Sequence, residues 1–117
     1  MFYSIKELVE QANSRFDGHI AELMIATEME LSGRSRDEIL HIMTRNLEVM
    51  KQSVIDGLTP SKSISGLTGG DAVKMDAYLK SGKTLSDTTV LTAVRNAIAV
   101  NELNAKMGLV CATPTAG

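Results

Sequence analysis

The sequence contains no tryptophan, only four aromatic residues (two Phe and two Tyr) and a single cysteine in 117 positions. A hydrophobic core built from it must therefore be aliphatic, and seven methionines together with many alanines are available to fill it. The lone Cys111 excludes an internal disulfide, and it falls short of the roughly four protein ligands that a zinc or iron-sulfur site needs. Metal chemistry would therefore need ligands from outside this chain.

The sequence also lacks long apolar runs and an excess of charge of either sign. Its longest apolar stretches fall well short of the ~18 residues of a membrane-spanning helix, and its start, MFYSIKELVE, does not have the pattern of a signal peptide. We therefore expect a cytoplasmic protein without a membrane partner. A formal net charge of -2 creates no field that attracts phosphate backbones, so nucleic acid is not an expected partner. The length fits one small domain.

Apolar residues recur every three or four positions along most of the chain, which is typical of amphipathic helices. Ser4 with Glu7, and Ser35 with Glu38, have the spacing of a capping box, in which the serine side chain and the glutamate satisfy free N–H groups reciprocally. Gly33 and Gly82 are expected to end helices. The first predicted helix begins at Ser4 and fades before Asp17, and the others cover residues 19–31, 35–57, 72–80 and 88–107.

The rest of the chain is expected to form loops and one extended segment. Residues 58–71 contain two threonines, Pro60 and three glycines, a composition that opposes regular structure. Residues 109–117 hold Pro114 and too few apolar residues for a helix, so they are interpreted as a strand that enters a loop. The predicted fold is mainly α, with about five helices, Gly/Thr-rich connecting loops and a short extended C-terminal segment.

The loop sequence SGLTGGD, residues 65–71, places glycines and hydroxyls directly before a predicted helix. Free N–H groups and the helix dipole favour an anion there, and a substrate carboxylate would fit. The plainer alternative is a capped turn, with Asp71 as the N-cap and the glycines at positive φ, which spacing alone favours. The loop does not match a phosphate-binding P-loop, because no Lys and Ser/Thr follow Gly69 or Gly70. A nucleotide-phosphate site remains a third hypothesis.

The last seven residues, CATPTAG, offer two hydroxyls on a backbone stiffened by Pro114, an arrangement suited to a small polar ligand. A loop of this composition is more often only a connection, and Cys111 beside two apolar residues is more often a small buried hydrophobe than a nucleophile. His19 and His41 have no partner at metal-binding spacing, so they are interpreted as solvated or capping residues.

Three stretches in this order resemble one protein family: SGLTGGDAVK at residues 65–74, NELNAKMG at residues 101–108 and CATPTAG at residues 111–117. Together they look like the α chain of the bacterial two-chain iron-sulfur L-serine dehydratase. The start MFYSIKELVEQA and the run MIATEME at residues 24–30 are also similar to that family. The resemblance covers essentially the whole chain.

The resemblance implies an L-serine ammonia-lyase that converts L-serine to pyruvate and ammonia together with a β chain. It also implies a 4Fe-4S cluster in the complete enzyme, with one iron acting as a Lewis acid on the serine hydroxyl. In this interpretation the hydroxyls and glycine amides of the first loop hold the carboxylate, Asp71 orients that loop or meets the ammonium, and Thr113 and Thr115 line the cluster side. The resemblance thus suggests as walls of the serine pocket Ser65, Thr68, Gly69, Gly70, Asp71, Thr113 and Thr115.

The sequence departs from the family in its length. The α chain of that family is more than twice as long, and its cluster cysteines lie beyond the point that corresponds to Gly117. Residues 1–117 are therefore interpreted as the N-terminal portion of a catalytic domain, with no cluster expected on this chain alone and no activity of its own. Apolar surfaces without their covering are expected to drive self-association. The alternative is a non-catalytic helical module whose amphipathic segments present an apolar groove to a partner.

Overall fold

The computed structural model describes residues 2–111, and this part of the chain contains five α-helices and no β-strand. They are α1 (Ile5–Phe16), α2 (Ile20–Ser32), α3 (Arg36–Gly57), α4 (Asp71–Lys80) and α5 (Thr88–Ala105). The mainly α prediction is confirmed. The predicted extended segment, residues 109–117, lies mostly outside the described residues, and its first three residues, 109–111, belong to no regular element. No helix in this range is long and apolar enough to cross a membrane.

The chain forms two compact units, one ending at Arg45 and the other beginning at Asn46. In the first unit α1 packs on α2, where Ala12 and Leu23 are buried. The Ser4 side chain caps α1 as predicted, accepting from the Glu7 N–H at 3.2 Å. The reciprocal bond differs from the prediction, because the Glu7 carboxylate accepts from the N–H of Tyr3 at 2.8 Å instead of that of Ser4.

The start of α3 has the full capping box that its sequence predicts. The N–H of Ser35 donates to Glu38 Oε2 at 2.8 Å, and the N–H of Glu38 donates to Ser35 Oγ at 3.3 Å. These bonds lower the pKa of Glu38, the backbone N–H of Ser35 contributing most. The periodic apolar residues of α3 are less buried than their spacing indicates, since Ile39 is buried while Met43 and Leu47 are about half exposed.

In the second unit α4 packs on α5 through small and aliphatic residues. Ala72, Ala99 and Leu103 are buried there, and Ser53 of α3 is also buried. Gly57 approaches α5 so closely that a Cβ atom at this position would collide with the carbonyl group of Ala99. Only glycine, which has no Cβ, permits this contact.

Ionic and capping groups fix the ends of α4 and α5. The Asp76 carboxylate pairs with Lys80 Nζ at 2.6 Å and with Arg95 Nη1 at 2.8 Å, and these two cations, Lys80 more than Arg95, lower the pKa of Asp76. Asp87 caps α5, its carboxylate accepting from the N–H of Thr89 at 2.8 Å. The helix ends at Ala105, two residues short of the predicted Met107, because Met107 adopts a left-handed conformation with φ 63.

Candidate functional site

The glycine-rich loop before α4 closes on the side chain and backbone of Ser63. The Ser63 N–H donates to the Thr68 carbonyl at 2.8 Å, and the Thr68 N–H donates back to Ser63 Oγ at 3.2 Å. Ser63 is 9% exposed, and its hydroxyl also lies 3.1 Å from Ser65 Oγ. The loop is therefore a shaped turn held by its own hydrogen bonds.

Two consecutive glycines carry the chain from this turn into α4. Gly69 has φ +127 and Gly70 has φ 98, both in the region that disfavours side chains, as the sequence predicts. At Gly69 an added Cβ would also collide with the carbonyl oxygen of Ser61 and lie 2.9 Å from the Cα of Lys62. Any other residue at position 69 would force the loop apart.

The start of α4 is bound by a carboxylate from α5. Glu102 Oε1 accepts from the N–H of Asp71 at 2.7 Å and from that of Ala72 at 3.2 Å, while Oε2 accepts from the N–H of Gly70 at 3.0 Å. Glu102 is only 6% exposed. A buried carboxylate is costly unless it is hydrogen-bonded, and three N–H groups at a helix N-terminus are the donors that suit it.

This geometry corrects the capped-turn alternative for Asp71. Gly70 is the N-cap residue and has no side chain to cap with, and Asp71 is the first residue of α4. The exposed Asp71 carboxylate instead accepts from Lys74 Nζ at 2.9 Å, which raises the pKa of Lys74. The anion that the sequence predicts at this helix start is present, and it belongs to the chain itself.

Two further donors of the loop make no hydrogen bond within the described part of the chain. Within residues 2–111 no group accepts a hydrogen bond from the Gly69 N–H, and the Thr68 hydroxyl has no partner. The Ser65 hydroxyl is exposed and shared between Ser63 Oγ and, at 3.4 Å, the N–H of Leu67. Of the predicted carboxylate donors, Gly70 is bonded to Glu102, and the Thr68 hydroxyl and the Gly69 N–H have no acceptor among residues 2–111.

A metal centre does not fit the described part of the chain. Residues 2–111 contain no group of three His, Cys, Asp or Glu side chains placed to hold a metal ion. Cys111, the single cysteine of the sequence, is partly buried. His19 precedes α2 without a side-chain capping bond, and His41 is exposed. Thr113 and Thr115 lie outside the described residues.

Comparison with known proteins gives the family. Residues 17–117 match the family model described as serine dehydratase alpha chain. The chain belongs to the serine dehydratase alpha chain family. It is 49% identical, over its whole length, to the probable L-serine dehydratase, alpha chain, of Bacillus subtilis (strain 168), of which it covers 39%. The resemblance inferred from the three sequence stretches is therefore confirmed.

Two further members of the family are similar to this chain over different lengths. The chain is 29% identical over its whole length to the L-serine dehydratase, alpha chain, of Peptoniphilus asaccharolyticus, covering 40% of it. It is 71% identical over 28 residues, 24% of this chain and 13% of the relative, to the probable L-serine dehydratase, alpha chain, of Latilactobacillus sakei. The chain spans about two-fifths of the length of the first two relatives. No solved structure matches it.

Sequence reasoning missed the two side chains that shape the site, Ser63 and Glu102. A signal for Glu102 exists in the sequence: it lies three residues after Ala99 and next to Leu103, on the face of α5 that is buried. A charged residue at such a position needs a buried partner. The contact joins two of the stretches that carry the family resemblance, residues 65–74 and 101–108.

Proposed function

We propose that this chain is the N-terminal portion of the α chain of an L-serine dehydratase, which converts L-serine to pyruvate and ammonia. The observation that carries the proposal is the 49% identity, across all of this chain, to a relative named probable L-serine dehydratase, alpha chain. The reaction removes water across the Cα–Cβ bond of serine, and the resulting enamine hydrolyses through its imine to pyruvate and ammonia. The complete enzyme would act in the cytoplasm, in amino-acid degradation.

In this proposal the glycine-rich loop holds the substrate carboxylate. The Thr68 hydroxyl and the Gly69 N–H are donors on consecutive residues, and Ser65, which is exposed like Thr68, supplies a further hydroxyl. Two or three such donors suit the two oxygens of a carboxylate. Gly70 contributes the turn, and Asp71, with its exposed carboxylate, orients the loop or meets the ammonium group. Thr113 and Thr115 remain proposed as residues of the cluster side.

The 4Fe-4S cluster belongs, in this proposal, to the complete enzyme and to residues outside this chain. One cysteine cannot hold it, and the described residues supply no other set of ligands. The cluster would supply Lewis-acid activation of the serine hydroxyl. We therefore expect residues 1–117 alone to be inactive, with activity in the full-length α chain assembled with a β chain.

The test of the loop is the substitution Thr68→Val in that complete enzyme. Valine keeps the branched shape and removes the hydroxyl, so the KM for L-serine should rise about tenfold or more, the cost of a hydrogen bond to a charged group. Thr44→Val is the matched control, because the Thr44 hydroxyl donates to the Leu40 carbonyl within its own helix. An unchanged KM in Thr68→Val would remove the loop from the substrate site. A complete enzyme that forms no pyruvate would favour the helical interaction module.

The apolar surface of the first unit supports a proposal about assembly. A groove of about 650 Å³ runs along α2 and the start of α3, with Met24, Leu31, Leu40 and Met43 in its walls. These four side chains are between 40% and 62% exposed. We expect the remainder of the α chain to cover the groove in the complete enzyme, and the isolated chain to cover it by self-association.

Light scattering after size-exclusion chromatography tests this assembly. The chain at ~100 μM should elute as a dimer or larger species, and Met43→Glu should shift it toward the monomer, because a carboxylate in the groove is costly to bury. Ile64→Glu is the control, since Ile64 is 86% exposed and lies outside the groove. A wild-type monomer at this concentration would contradict the expectation.

A further inference from the structure

The two oxygens of the Glu102 carboxylate bind two different parts of the chain. Oε1 binds the Asp71 and Ala72 amides, which begin α4, and Oε2 binds the Gly70 amide, which ends the glycine-rich loop. The donors lie 30 to 32 residues from Glu102 in sequence. An ordinary N-cap holds only its own helix, whereas Glu102 fastens the loop and the helix start to α5.

Within residues 2–111, the C-terminal end of the loop is hydrogen-bonded to α5 through Gly70. Ser63 closes residues 63–68 on themselves, and Gly69 and Gly70 follow with φ +127 and 98, conformations that glycine leaves easily. The Gly69 backbone lies against Ser61 and Lys62, and the bond from the Gly70 N–H to Glu102 links this turn to α5. This bond holds the peptide between Gly69 and Gly70, which is next to the peptide that carries the Gly69 N–H.

We infer that Glu102 is a positioning residue for the serine site: its Oε2 fixes the Gly69–Gly70 turn so that the Thr68 hydroxyl and the Gly69 N–H point to one carboxylate. The inference rests on the proposed function of the loop. Glu102 does not bind the substrate, because it is buried and both of its oxygens are engaged by backbone amides. Its charge is balanced by those amides and by the dipole of α4.

The substitution Glu102→Gln separates positioning from folding. The glutamine oxygen can take the place of Oε1 and accept hydrogen bonds from the Asp71 and Ala72 amides. The glutamine NH₂ group cannot accept one from the Gly70 N–H. In the full-length α chain assembled with its partner chain, we expect KM for L-serine to rise roughly fivefold to tenfold with kcat changed less than about twofold. The melting temperature should stay closer to wild type than that of Glu102→Ala. Glu48→Gln is the matched control, an exposed helical glutamate in the same unit.

The outcomes distinguish this inference from the function on which it rests. If Thr68→Val raises KM and a folded Glu102→Gln leaves it unchanged, Glu102 is only a helix cap and the inference is overturned. If Thr68→Val leaves KM unchanged, the proposed serine site itself fails. If Glu102→Gln does not fold, KM is measured in Glu102→Asp instead, because aspartate keeps the charge on a side chain that is one methylene shorter. A folded Asp variant with wild-type KM overturns the inference, and one with raised KM at similar kcat supports it.

Discussion

Removing the Glu102 carboxylate altogether should cost a large part of the stability of the second unit. In Glu102→Ala three N–H groups lose their acceptor. Ala72 is completely buried, so water cannot replace that acceptor and its amide bears the full penalty of about 1–3 kcal/mol. The amides of Gly70 and Asp71 are only partly buried, and each loses roughly 0.5–1.5 kcal/mol. The expected decrease in the free energy of unfolding is therefore roughly 2–6 kcal/mol, against a typical total of about 5–15 kcal/mol.

Urea unfolding followed by far-UV circular dichroism measures this decrease. Glu102→Gln, which keeps one acceptor oxygen, should lose roughly 1–2 kcal/mol, and the control Glu48→Ala should stay within about 0.5 kcal/mol of wild type. Amide hydrogen exchange adds a local readout, because the Ala72 N–H should lose protection in Glu102→Ala. A Glu102→Ala variant as stable as Glu48→Ala would refute the reasoning, since it would mean that the three amides find water or another acceptor at no cost.

Two further perturbations test the contacts that α5 makes with α3 and with α4. Gly57→Ala should lower the free energy of unfolding by about 1–3 kcal/mol, because the added Cβ would collide with the Ala99 carbonyl. The decrease is expected although alanine is the better helix former. A urea midpoint equal to or higher than that of wild type would contradict this contact. Asp76 has a pKa below its ordinary value of 3.8 because Lys80 and Arg95 bind its carboxylate. The contribution of this carboxylate to stability is therefore complete above that value and is lost as the pH falls through the lower pKa of the folded state. Asp76→Asn should flatten the acid side of a curve of stability against pH. Identical acid sides in wild type and variant would show that these ion pairs do not cause the loss of stability in acid.

The helices of this chain were predictable because their signals are local. A serine and a glutamate three positions apart specify the start of α3, and an aspartate specifies the start of α5, through bonds made within one turn. Helix ends shifted by one or two residues where a left-handed residue intervened, as at Met107. Burial followed the pattern less closely: the apolar spacing along α3 predicts a helix, but Met43 and Leu47 are about half exposed, because burial depends on contacts that are distant in sequence.

The sequence predicted that an anion binds at the start of α4, but it did not predict which anion, for a physical reason. The free N–H groups and dipole at the start of α4 attract an anion, and the sequence of residues 65–71 is sufficient to indicate this. Whether that anion is a ligand or a side chain depends on contacts about 30 residues away, which local patterns do not contain. A carboxylate of the same chain is held close to these amides by folding, so it occupies them ahead of a free ligand.

This occupation changes which part of the loop a substrate would meet. Glu102 occupies the Gly70, Asp71 and Ala72 amides. In the proposed function, a substrate carboxylate would therefore bind one step earlier, at Thr68 and Gly69. The stretches at residues 65–74 and 101–108 then act as one structural unit, because the first supplies the donors and the second the acceptor that arranges them. A substitution at Glu102 should therefore change the arrangement of Thr68 and Gly69, although Glu102 makes no hydrogen bond to either residue.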